Sequence, residues 1–114
     1  MQKTASRQER ICVAGFPFSE KNKFDKFLRA TARSIPSWGV TDCIDEATII
    51  ILNVREKFCI EEWKSMIVQN QQVLIVGPDD FGTGWSVMSR PFQLGQITER
   101  LKQLTVSRHH AVGG

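Results

Sequence analysis

The chain lacks tyrosine altogether and has only two histidines and three cysteines in 114 residues. Both histidines, His109 and His110, fall in a polar stretch at the end. No Ser-His-Asp or Cys-His arrangement with an ordered imidazole can therefore be assembled. The cysteines, Cys12, Cys43 and Cys59, are odd in number and show neither CxxC nor Cys/His zinc spacing. Cys12 lies in an apolar run and reads as a buried structural thiol. Cys59 falls near a predicted helix start, where a thiolate is stabilised, but nothing beside it suggests redox work. No P-loop or GxGxxG follows the first apolar run. No apolar run approaches the ~20 residues that cross a bilayer. The opening, Met1 to Arg10, has no hydrophobic stretch of the kind a signal peptide carries. These absences argue against catalysis, a cofactor, a metal centre and membrane insertion, and they lead us to expect a cytoplasmic protein.

What is present is ordinary for one globular domain. Apolar residues make up 41% of the chain and charged residues 24%. The length supports one modest core. A net charge of +3 permits an acidic partner without requiring nucleic acid. Ile11-Cys12-Val13-Ala14 reads as a first strand buried on both faces, ending at Gly15. Pro17 and Ser19 mark a loop and a helix cap. Phe24, Phe27, Leu28, Thr31 and Ile35 then keep one helical face from Glu20 to Ser34, opposite Lys26, Arg29 and Arg33, and Pro36 ends the helix. Trp38 to Cys43 is a weaker strand. Thr48-Ile49-Ile50-Ile51-Leu52 is the strongest in the chain, with the β-branched density of a central strand, and Asn53 stands at its end. Ile60, Trp63, Met66 and Ile67 predict a second helix over 60–69. Gln72 to Val76 is a fourth strand, stopped by Gly77-Pro78. Trp85 to Ser89 is a short fifth strand. Leu94, Ile97, Leu101 and Leu104 line a last helix.

The order β-α-β-β-α-β-β-α argues for an α/β domain with a mainly parallel five-stranded sheet in three layers. We expect the domain over 10–105, with flexible tails over 1–9 and 106–114. Two crossovers are poor in helix, 43–47 and 77–84; the first has room for about one turn at ~1.5 Å per residue. The expected core is Val13, Phe24, Phe27, Leu28, Ile49, Ile51, Trp63, Ile67, Leu74, Val76, Ile97 and Leu101.

Ser89-Arg90-Pro91-Phe92, ahead of an amphipathic helix, gives the layout its most specific feature. Together with the first strand, the strand ending at Asn53 and the strand ending at Gly77, it resembles the receiver domain of two-component response regulators and hybrid histidine kinases. The resemblance spans roughly Arg10 to Leu104. It implies strand order 2-1-3-4-5, with the functional pocket at the C-terminal strand ends. It also implies that the pocket is degenerate. Where an active receiver holds Mg²⁺ with two acids after the first strand, this chain has Gly15 and Phe16. Where the phosphoacceptor aspartate stands, it has Asn53, whose neutral amide can neither attack nor supply the charge a hard cation prefers. Where a Ser or Thr follows the fourth strand, it has Gly77. Only the basic residue before proline remains, as Arg90, and without the acids phosphoryl transfer loses its charge-neutralising metal. Asp79 and Asp80 read as turn residues rather than a displaced metal site. For Arg90 a free, anion-binding guanidinium stays open beside the favoured pairing with Asp79, Asp80 or another acid.

The resemblance thus implies a non-catalytic pseudo-receiver that binds a protein partner: a kinase, a regulator or a neighbouring domain. A homodimer is compatible with it. Trp85, Met88 and Arg90 are the candidate interaction residues. Trp85 has two open readings, an exposed anchor beside Met88 and the last helix, or a lid packed over the shortened crossover. Two other binding classes compete. Ile11 to Phe18 looks like the first strand motif of an RNA-recognition fold, but Ile49 to Leu52 offers no aromatic for base stacking. A BRCT-type module also has parallel strands and a buried tryptophan late in the chain, though the Arg90-Pro91-Phe92 corner is not part of that pattern.

Overall fold

A computed structural model describes residues 9–55, 57–68 and 70–113, with side chains described for all of these except 57–59 and 106–113. Five strands form one sheet: β1 (Glu9–Ala14), β2 (Trp38–Val40), β3 (Ile49–Asn53), β4 (Gln72–Val76) and β5 (Ser86–Met88). Their order is β2-β1-β3-β4-β5, and every pairing is parallel. The helices are α1 (Phe18–Ala32), α2 (Lys57–Met66) and α3 (Leu94–Gly113). This is the doubly wound, flavodoxin-like α/β arrangement.

Side-chain alternation along the strands divides the interior into two cores. Ile11 and Val13 of β1, Ile49 and Ile51 of β3, and Leu74 and Val76 of β4 face one side, where Phe24, Leu28, Ile97 and Leu101 of α1 and α3 meet them. Cys12 and Ala14, Ile50 and Leu52, and Val73 and Ile75 face the other, with Ile60 of α2 and Ala47. Ile49, Ile50, Ile51 and Leu52 are all fully buried, which is why β3 reads as an unbroken apolar run rather than an alternating one.

The first face carries two helices and the second only one, because two crossovers lack helices of their own. Between β2 and β3 there is a single 3-10 turn, Ile44–Glu46. Its free carbonyls are taken up by the Gln71 side chain, whose Nε2 donates to the Ile44 oxygen at 2.7 Å and the Ala47 oxygen at 2.9 Å. Between β4 and β5 the loop folds around Asp80. Its carboxylate accepts from the Gly82 amide at 3.0 Å and the Gly84 amide at 3.2 Å. Both glycines have φ of +80°, and Phe81, just ahead of them, takes a φ of +53°. Phe81 and Trp85 pack half-buried against the second core, so a tied loop with two aromatic rings stands where a helix would otherwise cover the sheet.

Several local expectations are corrected. The helix α1 starts at Phe18 with Pro17 as its N-cap and no side-chain cap, so Ser19 lies inside the first turn. The proline ring fixes φ at −59°, already suited to helix entry, and the Pro17 carbonyl accepts from the Lys21 amide at 2.8 Å. Phe27, Trp63 and Ile67 flank the cores half-buried instead of lying within them. Glu9 belongs to β1 and is buried, with its carboxylate accepting from the Thr48 hydroxyl at 2.8 Å. The segment expected as a C-terminal tail continues α3 to Gly113, since no proline or glycine follows Gly95 before that point. The rest of the expected N-terminal tail, 1–8, lies outside the described residues. So do the side chains of Cys59, His109 and His110.

At the open edge of the sheet, Arg100 of α3 donates from Nη2 to the Val87 carbonyl at 2.9 Å. Met88 offers its carbonyl to the Gly77 amide at the end of β4, so Val87, one residue earlier, presents its backbone outward. Arg100 therefore occupies an acceptor of the free edge.

Two outcomes follow from this packing. Phe24→Ala should cost about 3–5 kcal/mol in urea denaturation, and Phe27→Ala distinctly less; equal costs would mean that α1 buries a different face. Burial pushes the Cys12 thiol up to about 11. A thiol reagent at pH 8 followed by peptide mapping should therefore label exposed Cys43 in the native protein and spare Cys12 until unfolding. Rapid native labelling of Cys12 would show that β1 is not held as described.

Candidate functional site

The C-terminal ends of β1, β3 and β4 and the turn after β5 bring Gly15, Phe16, Asn53, Gly77 and Arg90 to one edge of the sheet. The sequence pattern expects a degenerate pocket at this edge. Three of the five are joined there by hydrogen bonds. Arg90 donates from Nη1 to Glu20 Oε2 at 2.8 Å and from Nη2 to Glu20 Oε1 at 2.9 Å, a two-pronged fork between the last turn of the sheet and the first turn of α1. The same Nη2 donates to Asn53 Oδ1 at 3.2 Å. Asn53 in turn donates from Nδ2 to the Gly15 carbonyl at 3.0 Å. A chain of hydrogen bonds thus runs from Glu20 through Arg90 and Asn53 to the end of β1.

Phe16 takes part through its ring. The Arg90 guanidinium carbon lies 5.9 Å from the Phe16 centroid and 5.7 Å from that of Phe92, within cation–π range of both. Phe16 also packs on Phe24 at 4.7 Å between centroids, and Phe24 lies 5.9 Å from Phe92. The guanidinium is therefore held by a carboxylate, an amide and two aromatic rings. The peptide bond between Arg90 and Pro91 is cis.

The glycines serve close backbone approach. Gly15 adopts a φ of +81°, and a Cβ there would stand 2.8 Å from the Asn53 carbonyl oxygen. Gly77 is tighter still: a Cβ at this position would overlap the Val54 carbonyl oxygen. The ends of β3 and β4 are drawn together here, the Val54 amide donating to the Val76 carbonyl at 3.2 Å. A Ser or Thr at 77 does not fit unless the backbone moves.

The fork dominates the electrostatics. The hydrogen bond from Arg90 lowers the Glu20 carboxyl below its ordinary value of 4.5. Burial opposes this, and the charges of Arg90, Arg55 and Lys23 add to it. Arg90 is raised by the same hydrogen bond. The next residue of α1, Lys21, is raised by its bond to Asp25 at 2.9 Å, with Asp42 at 3.4 Å. Among the described residues, no group of three or more His, Cys, Asp and Glu side chains comes together as a metal site.

The candidate interaction residues fall differently. Met88 is 6% exposed and belongs to the first core, since β5 turns it under α3. Trp85 is half-buried as the lid of the β4–β5 loop, not as a free anchor. Asp80 is the centre of that loop's turn, and Arg90 pairs with Glu20 rather than with either aspartate. Sequence reading missed Glu20, Arg55 and Phe18. Phe18, the first residue of α1, is 80% exposed at this same edge; its place just after Pro17 was the available signal.

Two measurements check the site. Glu20 has a depressed pKa, so its share of stability is present above the ordinary glutamate value and is lost as pH falls through and below it. With 35% and 30% of the Arg90 and Glu20 side chains exposed, screening keeps that share to about 1 kcal/mol. Glu20→Gln should lower stability by about this amount at neutral pH and flatten its loss below about pH 4.5. An unchanged acid limb would mean that the fork does not persist in solution. Gly77→Ala should destabilise by roughly 1–3 kcal/mol, read as a shift in the urea midpoint; a neutral substitution would mean that the approach of β3 to β4 is looser than described.

No family model matches the chain, and neither a curated protein nor a solved structure matches it.

Proposed function

We propose that the domain is a non-catalytic, receiver-like interaction module of a cytoplasmic signalling system, one that accepts no phosphoryl group. The observation that carries this reading is the fork between Glu20 and Arg90. In the receiver pattern, the basic residue before proline serves a phosphorylated carboxylate beside Mg²⁺. Here the guanidinium is already matched by a carboxylate and by the neutral amide of Asn53. Gly77 supports the reading from the other side, because the hydroxyl residue of an active pocket has no room there. The all-parallel sheet in order 2-1-3-4-5 supplies the framework that the resemblance implies. The shortened crossovers, tied down by Gln71 and Asp80, suit a fixed docking surface better than a surface that rearranges on a signal. The partner in this reading is a protein: a kinase, a regulator or an adjoining domain.

One observation favours a second reading within the same non-catalytic class. Trp85 packs late in the chain against a parallel sheet, the pairing of features that a BRCT-type module shares. RNA binding gains no such support, since β3 carries no aromatic on which a base could stack.

The test is chemical. Incubation with acetyl phosphate and Mg²⁺ should leave the intact mass of the wild-type protein unchanged, and that of Asn53→Asp as well. A phosphoryl adduct on the wild-type chain overturns the reading. An adduct on Asn53→Asp alone overturns the assignment of the block to the fork and to Gly77.

A further inference from the structure

A cleft of about 480 Å³ opens at the ends of β3, β4 and β5, lined by Arg55, Gly77, Pro78, Ser89 and Arg90. Among the described residues its lining contains two guanidinium groups and a hydroxyl but no carboxylate. Glu20 stands on the other side of Arg90, where it lines a separate cleft of about 270 Å³ with Lys23, Phe24 and Phe92. Arg90 is thus the wall between the two, and its acid partner occupies only one of them. Three of its five N–H donors go to Glu20 and Asn53. The other two have no acceptor among the described residues. Arg55 makes no hydrogen bond or ion pair among them, and neither does the Ser89 hydroxyl; Glu56, beside Arg55, lies outside them. The charge balance agrees. Arg55, Arg90 and Lys23 surround the single carboxylate of Glu20, and Arg55 and Lys23 are close enough to help lower its pKa.

We infer that this cleft is a reversible binding site for a small organic oxyanion, a carboxylate or a phosphate group held by Arg55 and Arg90. Planar guanidinium forks match both groups two-pronged, and Ser89 adds a donor. The volume falls within the usual range for small-molecule sites. Gly77 and Pro78 give the floor an apolar surface on which the body of such a ligand rests. The site involves no covalent step and no metal, so it goes beyond the interaction role proposed above and does not depend on it. Phosphoryl adduct formation would sink that role and leave reversible binding untouched.

The experiment is an amide NMR titration of the whole chain with inorganic phosphate, citrate and a nucleoside monophosphate, using sodium chloride at equal ionic strength as the reference. Saturable shifts are expected at Arg55, Gly77 and Ser89, and Arg55→Gln should weaken binding at least tenfold while leaving the rest of the spectrum in place. Because Arg55 is exposed, this variant tests charge rather than folding. A parallel arm uses an acidic peptide and its phosphoserine counterpart. Tighter binding of either than of the free anions assigns the oxyanion to a partner's side chain, and the reverse assigns it to a free metabolite; both outcomes support the site. Shifts that sodium chloride reproduces, shifts that spread along Lys26, Arg29 and Arg33, or affinities unchanged in Arg55→Gln overturn it.

Discussion

The fold depends on β3 being dry on both sides. Ile49 and Ile51 face one layer and Ile50 and Leu52 the other, so neither surface of the sheet can be left to water. At about 1.5–3 kcal/mol for each large apolar side chain removed from water, this strand holds a large share of the folding free energy. The chain covers the first face with α1 and α3. For the second it has α2 and two connections too short for helices. Its solution is polar bracing: Gln71 closes the turn before β3 and Asp80 closes the loop after β4, which lets Phe81 and Trp85 lie on the sheet. Single side chains with several hydrogen bonds do what whole helices do elsewhere in the molecule.

The same economy shapes the edge where the strands end. Gly15 and Gly77 let backbones approach within distances that side chains forbid, and Asn53 stitches the ends of β1 and β3 together. Arg90 then ties that edge to the start of α1 through Glu20. Every one of these contacts satisfies a polar group already present in the chain. An active phosphoacceptor edge requires the opposite, concentrated negative charge awaiting a cation. Here, among the described residues, Arg90, Arg55 and Lys23 act on the one carboxylate of Glu20, so positive charge prevails around it.

Much of this was legible in the sequence, and the rest was hidden for physical reasons. The unbroken run from Ile49 to Leu52 marks a central strand because burial on both faces removes alternation. Strand order followed from the resemblance anchored at Arg90-Pro91-Phe92. The shortness of residues 43–47 and 77–84 revealed the missing helices by length alone. The pairing of Arg90 with an acid was foreseeable, but not the identity of Glu20, seventy positions away along the chain; periodicity does not encode a contact of that reach. Arg55 was invisible because a lone arginine after a strand carries no pattern. Trp85 and Met88 suggested a surface anchor because large apolar residues near a short edge strand look the same whether they turn in or out. The half-turn of β5 that buries Met88 is set by pairing with β4.

Arg100 at the free margin of the sheet has a consequence for the company this molecule keeps. An unprotected terminal strand invites a second polypeptide to continue the ladder, the first step toward fibrils or exchanged dimers. With the outward carbonyl of Val87 already engaged by a long, permanently charged side chain, an arriving strand must displace a cation and find it another partner. The three-residue length of β5 leaves it little to gain in return. Stacking of copies along that margin is thereby discouraged.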